Sequence, residues 1–278
     1  MSTRDTALAI LTDKAPQAQA ALPPNTIDVE RLRVGFIAAF NKKPELADCS
    51  PMSLANCFIN CASLGLVPET PEQLAYLIPR RNKATGNTDC ELQIGYRGFS
   101  FMMYRAGAKI VETGIVYQGD VFEHQIGDGA FVRHTKSSDL DRHQKPIVFA
   151  WALVKLSSGE NKVEVMPNSD LEKIFKAMMR QNFDKASPAW REWPDEMRRK
   201  APLKRLAKTA NLGALVARAA EIDNSYSARM ERQEPKPLTL ATGEALETPA
   251  HVKRLPAGDT LEPKTPLDPQ DAEGNFKF

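Results

Sequence analysis

Residues 196–210 read EMRRKAPLKRLAKTA, and six of them carry a positive charge: Arg198, Arg199, Lys200, Lys204, Arg205 and Lys208. At helical spacing, Arg198, Arg205 and Lys208 lie near one stripe and Lys200, Lys204 and Lys208 near another. Met197, Leu203 and Leu206 can bury the opposite side. A row of cations at this density releases the counterions condensed on a phosphate backbone, so it suits a nucleic acid partner. The plainer reading is a solvated charged face, with Glu192, Asp195 and Glu196 just upstream to offset it. On charge, nucleic-acid contact is the favoured reading. A second cluster, Arg80, Arg81 and Lys83, falls at the tip of a candidate hairpin. A third lies in QIGYRGFSFMMYRAG, residues 93–107. There Arg97, Phe101, Tyr104 and Arg105 share one helical face, with Tyr96 beside them, while Phe99, Met102, Met103 and Ala106 form a core-like face. Aromatic rings beside guanidinium groups suit unpaired bases, which offer both a phosphate and a π-face. Trp190 and Trp193 can stack in the same way, although packing in a core is the commoner use of tryptophan.

Other chemistries lack their residues. No GxxxxGK[ST] loop is present to cradle nucleotide phosphates, and neither GxSxG, HExxH nor a GxGxxG after a strand occurs. Gly95–Gly98 has the GxxG form of a KH-domain clamp, but a strand precedes it here where the KH loop joins two helices. Paired carboxylates can hold Mg²⁺ for a nuclease. Asp89 with Glu91 and Asp139 with Asp141 have suitable alternation, but neither pair comes with a Glu-x-Lys pattern, so solvated faces and turns are the simpler reading. Mg²⁺ binding stays possible but unassigned. Cys49, Cys57, Cys61 and Cys90 contain no CxxC pair, and His124, His134, His143 and His251 are not at zinc spacing. Four buried thiols of a reducing cytoplasm are expected.

The elements that must position these residues follow from periodicity. Of 278 residues, 42% are hydrophobic and 26% charged, as in ordinary globular proteins. Residues 1–25 are rich in Ala, Gln and Pro and are expected to be flexible. Thr26 or Asp28 can cap a helix through VERLRVGFIAAF. Ser50 as N-cap, Pro51 in the first turn and Gly65 at the end frame a second. AYLIPRRN and DCELQIGY read as a hairpin around KATGNT. Five further strand candidates follow: IVETGIVYQ, DVFEHQI, AFVRHT, PIVFAWALVKL and NKVEVMP, with GDG and SSGEN as turns. Ser169 and Glu172 stand at capping-box spacing before another helix. A basic helical region runs from about Asp195 to about Arg229. The predicted class is α+β, a largely antiparallel sheet with a hairpin packed against helices, in a core spanning 26–230. Residues 231–278 hold six basic and nine acidic residues among recurring prolines, the composition of a disordered acidic tail and a possible partner-binding segment. That leaves a net charge of +5 on the body, against +2 for the whole chain. No secretory signal opens the sequence, and no apolar run reaches the ~20 residues needed to cross a bilayer. A cytoplasmic location is expected.

Taken together, LGLVP, AYLIPRRNK and ELQIGYRGFSFMMYRAG, in that order, resemble the signature of the RecT/Red-beta single-strand annealing proteins of phages and prophages. The tryptophan followed by EMRRKAPLKRLAK is similar to that family's W…MAKKTVIRRLAK stretch. The likeness spans about residues 27–225. It implies a non-enzymatic, ATP-independent recombinase in a bacterial host cell that needs no cofactor. Such a protein binds single-stranded DNA left by a 5′→3′ exonuclease and anneals it to a complementary strand through a duplex intermediate. It also implies a homo-oligomeric ring or helical filament with DNA in a groove, a core like that of the ring-forming annealing proteins, and a C-terminal region that meets partners such as the host single-strand-binding protein. By position, Arg97 stands where the family has Lys, and Lys200 and Arg205 stand on its basic positions. Ala201 replaces the usual threonine. Pro202 removes a helical hydrogen bond, so the basic helix is expected to restart there. A metal-dependent nuclease using the carboxylate pairs, or a passive single-strand-binding module, are the competing readings.

Overall fold

The computed structural model describes residues 2–82, 85–181 and 186–231. The acidic tail from 232 onward, expected to be disordered and partner-binding, lies outside the described residues, as does Lys83.

Helix α1 spans Thr3–Ala21. This corrects the expectation of a flexible N-terminus. Ser2 and Asp5 form a reciprocal capping box, which satisfies two otherwise orphaned amides. Alanine supplies high helix propensity, and Ala7, Leu11 and Ala18 bury against the main core. The helix continues through Pro16. Helix α2, Val29–Lys42, is capped by Asp28, whose carboxylate accepts from the Arg31 amide at 2.6 Å. Helix α3, Pro51–Leu64, ends as expected on Gly65 in the left-handed conformation at φ 62°. Ser50 occupies its N-cap position but does not cap. Its hydroxyl donates instead to Asp89 Oδ1 at 2.5 Å, tying the helix start to the neighbouring hairpin.

That hairpin pairs β1, Ala75–Arg81, with β2, Thr88–Ile94, in antiparallel register from Ala75 opposite Ile94 to Arg81 opposite Thr88. Helix α4, Tyr96–Arg105, follows at once, its N-cap Gly95 having an ordinary extended φ of −71°. The two glycines of the motif therefore serve close approach rather than a special turn. A Cβ on Gly95 would stand 2.7 Å from the Gln73 carbonyl oxygen, and one on Gly98 only 2.1 Å from that of Leu74. Phe99, Met102 and Met103 are buried, as their spacing predicts.

A three-stranded antiparallel sheet has the order β3 (Ile110–Tyr117), β6 (Ile147–Lys155), β7 (Asn161–Pro167). Strands β4 (Val121–Gln125) and β5 (Phe131–Thr135) form a separate hairpin. Four helices complete the described chain: α5 (Asn168–Gln181), α6 (Pro188–Glu192), α7 (Pro194–Thr209) and α8 (Ala214–Glu231). Because α5 starts at Asn168, Ser169 lies inside its first turn. The class is α+β, with small antiparallel sheets packed against helices. Helix α7 crosses the three-stranded sheet and also packs against α4 and α8. It runs unbroken through Pro202, contrary to the expected restart. Pro202, Leu203, Leu206 and Ala207 are all buried. Tertiary burial outweighs the one backbone bond the ring removes. Cys49, Cys57, Cys61 and Cys90 are free and buried.

Candidate nucleic-acid interface

Helix α7 separates two clefts. Arg199 lines the larger, of about 1020 Å³, and Met197 the smaller, of about 380 Å³. The predicted basic residues divide between them, and several turn out to be held by carboxylates.

The stripe Lys200–Lys204–Lys208 does not form a free cationic row. Asp223 of α8 captures two of its members. Lys200 Nζ lies 2.8 Å from Asp223 Oδ1, and Lys204 Nζ lies 2.6 Å from Oδ2. The Ile94 amide donates to Oδ1 as well, at 2.9 Å, so one carboxylate ties α7, α8 and β2 together. Lys200 is 6% exposed. Burial pulls the Lys200 pKa below its usual value despite Asp223. Burial alone would raise Asp223, but the two ammonium groups outweigh it and hold the carboxyl below its usual range. Lys208 is exposed and makes no ion pair among the described residues. Arg205 is exposed and pairs with Glu164 at 2.9 Å.

Other predicted positions are also engaged. Arg80 Nε stands 2.5 Å from Glu91 Oε2, with both side chains largely buried. Burial raises the Glu91 pKa to about 7, against the pull of Arg80. Arg105 donates from Nη1 to the Leu64 carbonyl at 3.0 Å, closing the end of α3. It also lies over the Phe101 ring at 5.6 Å. The bond to Leu64 ties α4 to the end of α3 and leaves Arg105 partly exposed. Tyr96 packs partly against the core and accepts a hydrogen bond from Arg97 Nε at 3.2 Å, leaving Arg97 exposed. Arg198 lies over the buried Trp190 ring at 5.8 Å. Arg199 is near Glu196 at 3.6 Å and stays a third exposed. Arg81 is exposed at the end of β1.

The large cleft is built by residues that the sequence reading passed over. Its lining joins Arg133, Lys136 and Arg142 to Tyr96 and Arg199. Beneath them Asp120, fully shielded from solvent, accepts five hydrogen bonds. Arg142 donates from Nε and Nη2, both at 2.6 Å. The amides of Tyr117 and Ser137 each donate at 2.9 Å. His134 supplies the fifth through Nε2 at 2.9 Å. His134 Nδ1 accepts from the Trp151 indole at 3.2 Å, so the ring proton sits on Nε2 and points at Asp120. Burial would raise the Asp120 pKa, but Arg142 and the other donors hold it far below the carboxylate range. Arg142 also stacks 4.5 Å over Tyr117, whose hydroxyl donates to Asp195 at the start of α7 at 2.5 Å. Burial and that carboxylate push Tyr117 up to about 12. The network locks the β4–β5 hairpin to α7. It leaves Lys136 exposed with no ion pair among the described residues, and Arg133 exposed beside Glu123.

Both carboxylate pairs considered for metal are already occupied. Asp89 accepts from Ser50 and Asn82, Glu91 faces Arg80, and Lys145 bridges Asp139 and Asp141. Among the described residues no three His, Cys, Asp or Glu side chains converge to hold an ion, and no helix is long and apolar enough to cross a membrane.

What remains is a groove whose lining holds Arg133, Lys136, Arg142 and Arg199, the carboxylates Glu112 and Asp139, and the Tyr96 ring. Comparison with known sequences agrees with the motif likeness. Protein RecT of Escherichia coli strain K12 is 26% identical over 231 residues, covering 82% of each chain. The RecT family model matches residues 31–237. That match runs from α2 past the end of α8, across both clefts, and the chain belongs to the RecT family.

Proposed function

We propose that this protein binds single-stranded DNA along the large cleft and anneals it to a complementary strand without nucleotide hydrolysis. Family membership supports single-strand annealing in recombination. The observation that carries the placement is that Arg199 of α7 lines the same groove as Arg133 and Lys136 of the β4–β5 side and the Tyr96 ring. Arg97 extends the cationic edge. These groups hold phosphates, which fixes the strand's path and carries no sequence information. Bases stay free to sample a second strand, and the incoming strand remains only where Watson–Crick pairing succeeds. Pairing itself supplies the free energy, so no ATP is required. Oligomerisation into a ring or filament would extend the groove from one protomer to the next. A 5′→3′ exonuclease would supply the strand, and a host single-strand-binding protein would be met before or during loading.

The test is annealing of complementary oligonucleotides by the purified protein with no nucleotide present. Acceleration that weakens steeply with salt, with both strands intact at the end, is expected. No acceleration over the spontaneous rate at any salt overturns the proposal. Slower annealing identifies a passive binding module, and Mg²⁺-dependent cleavage identifies a nuclease.

A further inference from the structure

The small cleft on the other flank of α7 has charged and apolar side chains in its lining. Two lysines, Lys200 and Lys204, share the one carboxylate of Asp223. Lys208, exposed and without an ion pair among the described residues, adds a further positive charge at the lining. Ile174 and Met178 of α5 and Met197 of α7 supply apolar surface. Ile174 is 38% exposed, a large aliphatic side chain left against water.

Two lysines on one carboxylate, with a third at the lining, suit an anion, and the apolar side chains suit a flat or aliphatic body attached to it. Inorganic phosphate alone would leave those apolar side chains unused. A volume of about 380 Å³ is at the small end of ligand pockets. The cleft is also near the polymer track proposed above. Met197 and Arg199, two residues apart on α7, line the small and the large cleft respectively, so about one helix width, ~10 Å, separates them.

We propose that the small cleft takes a single nucleotide unit, its phosphate at Lys208 beside the Lys204–Asp223 pair and its base against Ile174, Met178 and Met197. Resting on the annealing reading, the unit is one nucleotide of the bound strand turned away from its neighbours, and a free nucleotide shares the same chemistry. Such a site would fix the phase of the strand on each protomer without reading sequence, because every base has an apolar face.

The experiment uses the full-length protein with ¹³C-methyl methionine. A thymidine oligonucleotide should shift the Met178 and Met197 methyl resonances, and an abasic strand of equal length should not. Inorganic phosphate alone should also leave them in place. If deoxyadenosine monophosphate shifts them while the oligonucleotide does not, the cleft is a free-nucleotide site. In parallel, normal strand should bind about 5- to 100-fold tighter than abasic strand, and Ile174→Glu or Lys208→Glu should shrink that ratio. Strand binding that is intact but equal for both strands, with unmoved methionine methyls, overturns the cleft assignment alone. A strand that does not bind at all overturns the annealing reading instead.

Discussion

Two buried carboxylates, one in each half of the protein, organise the positive charge in opposite ways. Asp120 sits under the large cleft with one guanidinium, one neutral imidazole and two backbone amides around it. Asp223 sits under the small cleft with two lysines and one amide. The first consumes Arg142 and leaves Arg133 and Lys136 on the rim. The second consumes Lys200 and Lys204, the centre of the most basic segment of the chain. The densest run of cations in a sequence therefore need not be the surface that meets an anionic partner. Here a single carboxylate elsewhere in the chain pairs with two of those cations.

The comparison breaks most visibly at Asp223. Asp223→Ala leaves a buried ammonium, a second one beside it and the Ile94 amide without their acceptor. Removing one partner of a buried pair costs about 3–5 kcal/mol, so urea denaturation should show a loss of that size. Lys200→Ala should likewise act on stability, and the folded fraction should keep the wild-type salt dependence of strand binding. A flattened salt dependence in folded Lys200→Ala protein would return this residue to the DNA surface.

Asp120→Asn is the matching change on the other side. It keeps the shape but removes the charge that holds Arg142, and its amide presents a donor where an acceptor is needed. A loss of about 2–3 kcal/mol is expected. Asp120 is depressed in the folded state, so its contribution is full above the unfolded pKa of about 4 and is lost as pH falls further. The mutant should therefore lose less stability than wild type on acidification below about pH 4. The near-ultraviolet signal of Trp151, which donates to His134, should change with it.

Much of this frame was legible in the sequence, and the reason differs by element. The β1–β2 hairpin, the Asp28 cap and the Gly65 stop are local signals, carried by residues within a few positions of the feature they set. Helix α1 was missed because its buried face is only Ala7, Leu11 and Ala18 in a polar, proline-containing segment. The salt links were missed because they are not local. Asp223 lies 19 residues from Lys204 and 23 from Lys200, and nothing in AEIDNSY marks that aspartate as their partner. Arg133 and Lys136 were passed over because charged residues alternating along a strand look like a solvated face. The available signal was that AFVRHTK places cations on an exposed hairpin beside the histidine.

Glu91 gives the two clefts different pH behaviour. Its folded pKa, about 7, lies above its ordinary value because burial favours the neutral acid. A raised carboxyl pKa contributes stability that is complete below about pH 4 and is lost as pH rises through the folded value. Wild-type protein should lose about 1–3 kcal/mol between pH 5 and pH 8 from this group. Glu91→Gln should flatten that loss. Identical pH profiles for the two proteins would mean that Arg80 keeps Glu91 ionised, and the small cleft would then hold less positive charge.

The smallest effects fall on the exposed cations, where they discriminate best between the clefts. Lys136→Ala and Arg199→Ala each remove one phosphate contact from the proposed track. Each should weaken strand binding about 2- to 5-fold at low salt and reduce the slope of log affinity against log salt by about 1. Neither side chain holds the core, so the denaturation midpoint should stay within about 0.5 kcal/mol of wild type. Arg205→Ala is the control on the opposite flank. Its exposed pair with Glu164 contributes at most about 1 kcal/mol to stability, and pairing already offsets its charge. Its salt slope should therefore stay closer to wild type than that of Lys136→Ala. The reverse ranking, with Arg205 dominating the slope and Lys136 silent, would move the polymer track to the small cleft. Arg133 and Lys136 would then be bystanders on a hairpin edge.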